Sequence, residues 1–207
     1  KTKKLVYLPH VIKTEKYKFD NREKQNICLT IVWMGNIENV VRKGVDKSLI
    51  LFSNFLKFQP DFKFYIIGTK GEGTKYLINL IKKYNIPESK IIFTGSIDEE
   101  DKIELLKNSK YYFQLSKYEG FGIAALEALC AGSIVIHSGK GGLKDIIGGY
   151  GIIFDSGNIY KFCQKLNKFE KNYALRKDFT KNGIDYVCQE FTYNVRKNGF
   201  QKILIDS

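Results

Sequence analysis

Short apolar runs rich in Ile, Val, Phe and Tyr alternate with longer segments of helical periodicity along nearly the whole chain. This alternation constrains the fold more than any other feature, because a run that is apolar at successive positions suits a strand covered on both faces. Strands are predicted at Ile27–Met34, Phe62–Ile67, Ile91–Phe93, Tyr111–Leu115, Ile134–His137 and Gly151–Phe154. Helices are predicted between them near Val45–Phe58, Thr74–Tyr84, Glu99–Asn108 and Gly122–Ala131, with a shorter one near Leu143–Ile147. Right-handed crossovers then give an α/β, doubly wound parallel sheet of Rossmann-like type. Residues 1–24 are polar and irregular around Pro9 and read as a linker or edge segment. Residues 25–190 read as the Rossmann-like domain, with helices continuing from 158, and residues 191–207 as a C-terminal helix starting near Thr192.

In such a sheet, ligands bind beyond the carboxyl ends of the strands, so function is sought in the loops after Met34, Ile67, Phe93, Leu115 and His137. Several of these loops are rich in glycine. The chain has 207 residues, 43% of them hydrophobic and 27% charged, which excludes disorder and matches one substantial core. No apolar run approaches the roughly 20 residues needed to cross a bilayer, and Leu5 to Ile12 is too short and interrupted for a signal peptide. Cys28, Cys130, Cys163 and Cys188 lie far apart within apolar segments, as buried reduced thiols do. A cytoplasmic protein is expected. The net charge of +12 is compatible with nucleic acid, anionic lipid or a phosphorylated ligand as partner. Because the lysines form no dense block, most of that charge is expected to be solvated surface.

The segment from Tyr118 to Gly132 carries the most chemistry. It follows a buried strand and opens a helix. Gly120 and Gly122 around Phe121 let backbone approach a ligand, and the helix N-terminus directs unpaired N–H groups and partial positive charge to the same place. From Ile123 to Ala131 every residue is apolar except Glu127. A carboxylate on such a helix needs partners to offset its desolvation. Adjacent sugar hydroxyls would supply them; so would a salt bridge to a lysine, or a partly exposed helix edge. Glu119 taken alone is an ordinary helix-capping residue.

Together, Glu119, the Gly-Phe-Gly turn and Glu127 resemble the donor-binding, C-terminal domain of the retaining GT-B glycosyltransferases of group 1 or family 4 type, which carry two glutamates at this spacing. The resemblance extends over nearly the whole chain: Arg42-Lys43-Gly44-Val45-Asp46 is similar to that family's Lys-Gly turn, Phe62–Gly68 to its second strand, and Phe93–Ile97 to its base-reading loop. The stretch Ala131–Ser138, then Gly141-Gly142 and Gly149–Gly151, continues the likeness, and Val6–Ile12 is similar to the interdomain linker. The resemblance implies one half of a GT-B fold that binds a nucleotide-diphosphate sugar. Glu127 would hold the ribose hydroxyls, Glu119 would approach the transferred sugar as the catalytic residue, and the backbone of Gly120, Phe121, Gly122 and Ile123 would contact sugar and diphosphate. Lys43 would bind the diphosphate, and Gly95, Ser96 and Ile97 would read the base. The family usually has an arginine directly after the glycine that ends the first strand; here Gly35 is followed by Asn36, and Arg42 could reach the same anion.

The implied reaction is hexosyl transfer with retention, without a metal or other cofactor, to an acceptor glycan or lipid in polysaccharide biosynthesis. The acceptor domain would precede this chain, which alone would lack full activity. A lipid acceptor implies peripheral contact with the inner face of the membrane, and no nucleic acid partner follows from the resemblance. Two other readings use the same residues: a nucleotide-sugar-binding module without chemistry, and a basic binder of nucleic acid or anionic surfaces, which salt would weaken steeply. Gly68–Lys75 is not a phosphate loop, since its order is Gly-Thr-Lys where Gly-Lys-Ser/Thr is required. Metal ligation finds little support in two histidines, His10 and His137, and the acidic run Asp98–Asp101 suits a helix N-terminus.

Overall fold

The structure is a computed structural model that describes residues 7–17 and 22–205. Its strands are β1 (Gln25–Ile31), β2 (Lys63–Ile67), β3 (Ile91–Gly95), β4 (Ser109–Gln114), β5 (Ile134–His137) and β6 (Ile152–Ile153). They form one six-stranded sheet in the order β3-β2-β1-β4-β5-β6, and every adjacent pair is parallel. The helices are α1 (Ile37–Arg42), α2 (Val45–Leu56), α3 (Glu72–Lys83), α4 (Glu99–Asn108), α5 (Ile123–Cys130), α6 (Gly142–Ile147), α7 (Ile159–Lys171), α8 (Tyr173–Glu190) and α9 (Tyr193–Ile205). This is the Rossmann-like doubly wound sheet read from the sequence.

The uninterrupted apolar runs have a direct structural cause. Successive strand residues point to opposite faces, and each face has its own core. Cys28, Tyr111, Phe113, Ile134 and Ile136 pack into the core under α1, α2, α3 and α7. Their chain neighbours Leu29, Tyr112 and Val135 pack into the core under α4, α5, α6 and α8. At roughly 25 cal/mol per Å² of apolar area removed from water, these two cores are the main source of stability.

The differences from expectation lie at the functional end of the sheet. The β1 ladder with β2 ends at Ile31, where it pairs with Ile67, although Val32 and Met34 still donate to the carbonyls of Ile67 and Thr69. Helix α1 was not predicted; Asn36 caps it, its side chain accepting from the Asn39 amide at 2.8 Å. Cys28, Cys130 and Cys163 are buried free thiols as expected, but Cys188, on α8 beside Cys130, is exposed. Among the described residues no helix is long and apolar enough to cross a membrane.

Candidate functional site

The loops after β1 and β4 are pressed together at the carboxyl ends of the strands. Gly44 has φ +70° at the start of α2, and a Cβ there would lie 1.9 Å from the Leu115 carbonyl oxygen, so only glycine allows this approach. The Lys117 amide donates to the Arg42 carbonyl at 2.8 Å across the same junction. Consequently Lys43 and Glu119, far apart in sequence, meet: Lys43 Nζ donates to Glu119 Oε2 at 2.6 Å. The same carboxylate oxygen accepts from Gln114 Nε2 at 3.1 Å and from Ser116 Oγ at 3.4 Å. An ammonium has three N–H donors, so Lys43 keeps two beyond its bond to Glu119, and Glu119 Oε1 carries no protein hydrogen bond among the described residues.

A second pair of loops supports the glutamate from behind. The Gly142 amide donates to the Glu119 carbonyl at 2.8 Å. Cβ atoms built at Gly141 and Gly142 would lie 2.4 Å from the Glu119 oxygen and 2.1 Å from the Gly120 oxygen, so the turn rests directly on the start of α6. Gly122, with φ +90°, then starts α5. The Phe121 ring sits edge-on between His10 and Phe191, which ties the turn to the N-terminal segment and to the end of α8.

Glu127 lies on α5 with its side chain 17% exposed, and both of its oxygens take a hydrogen bond from Lys102 of α4, at 2.9 and 3.1 Å. The Tyr17 hydroxyl bonds to the same carboxylate; burial chiefly, and then the charge of Glu127, pushes that phenol well above its usual range. The lysine pairing weighed from sequence is therefore present, and each oxygen retains lone-pair capacity for a further donor.

The remaining candidates are placed as follows. Arg42 is not brought to Glu119; its guanidinium bonds to Asn39 at 2.6 Å on the surface of α1. Asn36, at the position where an arginine was expected, is committed to capping α1. Gly95 has φ +77° with open space around it, Ser96 Oγ lies 2.9 Å from Thr69 Oγ1, and Ile97 packs against the core beneath α4 and α5. Among the described residues no group of three or more His, Cys, Asp or Glu side chains could hold a metal. Gln114, Ser116, Lys102 and Tyr17 were missed from sequence. Gln114 and Ser116 had a visible signal, since they are polar residues at the end of the apolar run from Tyr111 to Leu115 and directly after it, whereas Lys102 and Tyr17 reach Glu127 only through tertiary packing.

His137 ends β5 and is fully buried. Its Nδ1 accepts from the Gly139 amide at 3.3 Å, while among the described residues Nε2 has no hydrogen-bond partner. Burial lowers its pKa from 6.5 to about 4, so the ring is neutral near pH 7.

Residues 12–186 match the sequence profile of the family described as glycosyl transferases group 1. The chain belongs to this family. Among curated relatives, an uncharacterized glycosyltransferase of Methanocaldococcus jannaschii is 28% identical over 166 residues, 79% of this chain and 45% of that protein. The serotype-specific mannosyltransferase WbdA of Escherichia coli is 24% identical over 139 residues, 66% of this chain and 17% of that protein. The chain thus spans less than half the length of these relatives. Solved structures share the fold: the C-terminal domain of a group 1 glycosyltransferase from Francisella tularensis superimposes with a TM-score of 0.65 at 22% identity, covering 91% of this chain and 97% of that one. HepE of Anabaena, solved with UDP and glucose, gives a TM-score of 0.76 at 15% identity, covering 95% of this chain and 55% of that one. The group 1 fold here is accordingly that of one GT-B half.

Proposed function

We propose that this chain binds the nucleotide-diphosphate sugar of a retaining, metal-independent hexosyl transfer. The observation that carries the reading is the Lys43–Glu119 pair at 2.6 Å, set beside the Gly122 start of α5 at the carboxyl ends of the strands. The diphosphate lies against the two remaining N–H donors of Lys43 and the N-terminus of α5, and the sugar lies near Glu119 Oε1 and the backbone of residues 120–123. The ribose hydroxyls donate to Glu127, and the base faces residues 95–97. As the bond from the anomeric carbon to the diphosphate breaks, negative charge grows on the leaving phosphate, and prepositioned cationic donors stabilise it there. Arg42 reaches this anion only by leaving Asn39.

In this proposal the acceptor, a glycan or a lipid at the cytoplasmic face of the membrane, is held by a further domain, as the greater length of the relatives suggests. Transfer then depends on that domain for positioning, whereas donor binding does not. A thermal-shift panel of uridine, guanosine and adenosine diphosphates and their sugar conjugates tests the reading. A ligand at 100 times its Kd stabilises the folded state by about 2.7 kcal/mol. For a domain of this size, that corresponds to a rise in Tm of about 5–10 °C. Absence of a saturable shift with every diphosphate would refute donor binding.

A further inference from the structure

The amino ends of the strands, opposite the candidate donor site, form a cleft of about 790 Å³. Its wall includes Arg22, Lys24, Lys110, Arg176, Lys177 and Lys181. Arg22 and Lys24 lead into β1, Lys110 is at the start of β4, and the other three are on α8. Among the described residues only Glu23 and Asp185 oppose these six cations on the wall itself. The volume falls within the range of small-molecule sites, about 300–1,000 Å³.

The pairing within the cleft leaves cationic donors over. Arg22 pairs with Glu104. Lys24 donates to the carbonyls of Lys107 and Ala131 at 2.7 and 2.9 Å. Glu170 is the buried carboxylate beneath the cleft, and its oxygens are taken at 2.8 Å by Lys110 and at 2.6 Å by the Tyr111 hydroxyl. Arg176 therefore makes only a long ion pair with Glu170, at 3.8 Å, and among the described residues its buried Nε has no hydrogen-bond partner. Among the described residues, no carboxylate lies within ion-pair distance of Lys177 or Lys181. These two lysines are one turn apart on one face of α8, an arrangement in which like charges repel. Tyr173 and Ile184, at either end of the same helical face, and Ile134 at the start of β5 add apolar wall. A guanidinium over the Tyr173 ring whose Nε makes no hydrogen bond, two ammonium groups with no carboxylate in ion-pair range, and apolar surface on one side are the complement of a phosphate carried on an organic body.

We infer that this cleft is a second ligand site, separate from the donor site, for a phosphate monoester or diphosphate. Arg176, Lys177 and Lys181 bind the phosphate, and Tyr173 and Ile184 contact the body that carries it. The phosphate can come from a soluble compound or from a lipid headgroup, and the probes separate these sources.

The test is a titration of the 15N-labelled 207-residue chain with inorganic pyrophosphate, followed through backbone amide shifts. Saturable shifts at residues 22–24 and 173–185 are expected, in the parent and equally in Lys43→Ala, which disables the proposed donor site. Lys177→Glu with Lys181→Glu, both exposed, should weaken the affinity read at those amides at least tenfold, and Arg176→Gln provides an independent variant. The spectra report folding of each variant directly. Shifts confined to residues 43 and 119–123, or an affinity at 173–185 that the double variant leaves unchanged, overturn the inference. Co-sedimentation with phosphatidylcholine vesicles containing phosphatidic acid, lost in the double variant, would identify a lipid headgroup. Retained pyrophosphate binding without co-sedimentation would identify a soluble ligand.

Discussion

Lys43→Met removes the ammonium while keeping the length of the side chain. Glu119 is only 15% exposed, but without Lys43 it still accepts from Gln114 and Ser116. Its charge is therefore not orphaned, and the loss of folding stability should be on the order of 1–2 kcal/mol, below the 3–5 kcal/mol typical when a buried pair loses its sole partner. The effect on ligand binding should be larger and selective. Two N–H donors of Lys43 remain for a diphosphate, and a hydrogen bond to a charged group contributes about 1.5–3 kcal/mol. The two bonds come from a single charge and do not add fully. A loss of about 2–3 kcal/mol follows, or about 30- to 150-fold in Kd. The matching nucleoside, which lacks the phosphates, should change by less than about twofold on the same scale. Calorimetric titration of parent and variant with the diphosphate that gives the largest thermal shift, and with its nucleoside by displacement, measures both. Equal losses for the two ligands would place Lys43 away from the phosphates. An unchanged diphosphate affinity with a lowered Tm would make the Lys43–Glu119 pair a purely structural bridge between two loops.

Glu127→Gln should weaken nucleoside diphosphate binding by about 1–3 kcal/mol and narrow the preference for ribose over deoxyribose; an unchanged preference, measured by competition, would leave Glu127 as the partner of Lys102 and Tyr17 alone. Gly142→Ala places a Cβ against the Gly120 oxygen and should displace the turn, reducing diphosphate affinity at least tenfold while circular dichroism stays native; parental affinity would show that the turn can shift without loss. His137 binds its proton less readily folded, at about 4, than unfolded, at 6.5, so its contribution to stability is complete above pH 6.5 and is lost as pH falls toward 4. Urea midpoints of the parent should therefore fall more steeply across this window than those of His137→Leu, and parallel profiles would refute the assignment. Asn36→Arg removes the α1 cap at a cost of about 1 kcal/mol, so any gain in diphosphate affinity should be accompanied by a lower urea midpoint, and an unchanged midpoint would show the cap to be dispensable.

The sheet was legible because both of its faces are covered, so that strands such as Tyr111–Leu115 announce themselves as unbroken apolar runs. Helix α1 was not legible: it has six residues, and only Val40 among them is buried, so its periodicity is too short to detect. Its one local signal was Asn36 ahead of Asn39. The Glu119–Glu127 segment could be found because its chemistry is contiguous, whereas Gln114 could be read only as the polar end of a strand. The cleft on α8 was hidden for a different reason. Its six cations come from three separated stretches of chain, each unremarkable alone, and folding is what gathers them. The expectation that the lysines are mostly solvated surface was drawn from spacing along the sequence, which carries no information about convergence in space.

The contact between Gly141-Gly142 and the Glu119–Gly120 backbone bears on protein engineering. Loop grafting between relatives usually treats each surface loop as an independent module. Here Gly141-Gly142 meets the backbone of Glu119-Gly120 with no room for a Cβ at either glycine of the first pair, so neither loop can be exchanged without the other. A chimera that transplants the glutamate turn alone would import a loop shaped for a different floor, whereas transplanting both segments as a set conserves the seat on which Glu119 is held.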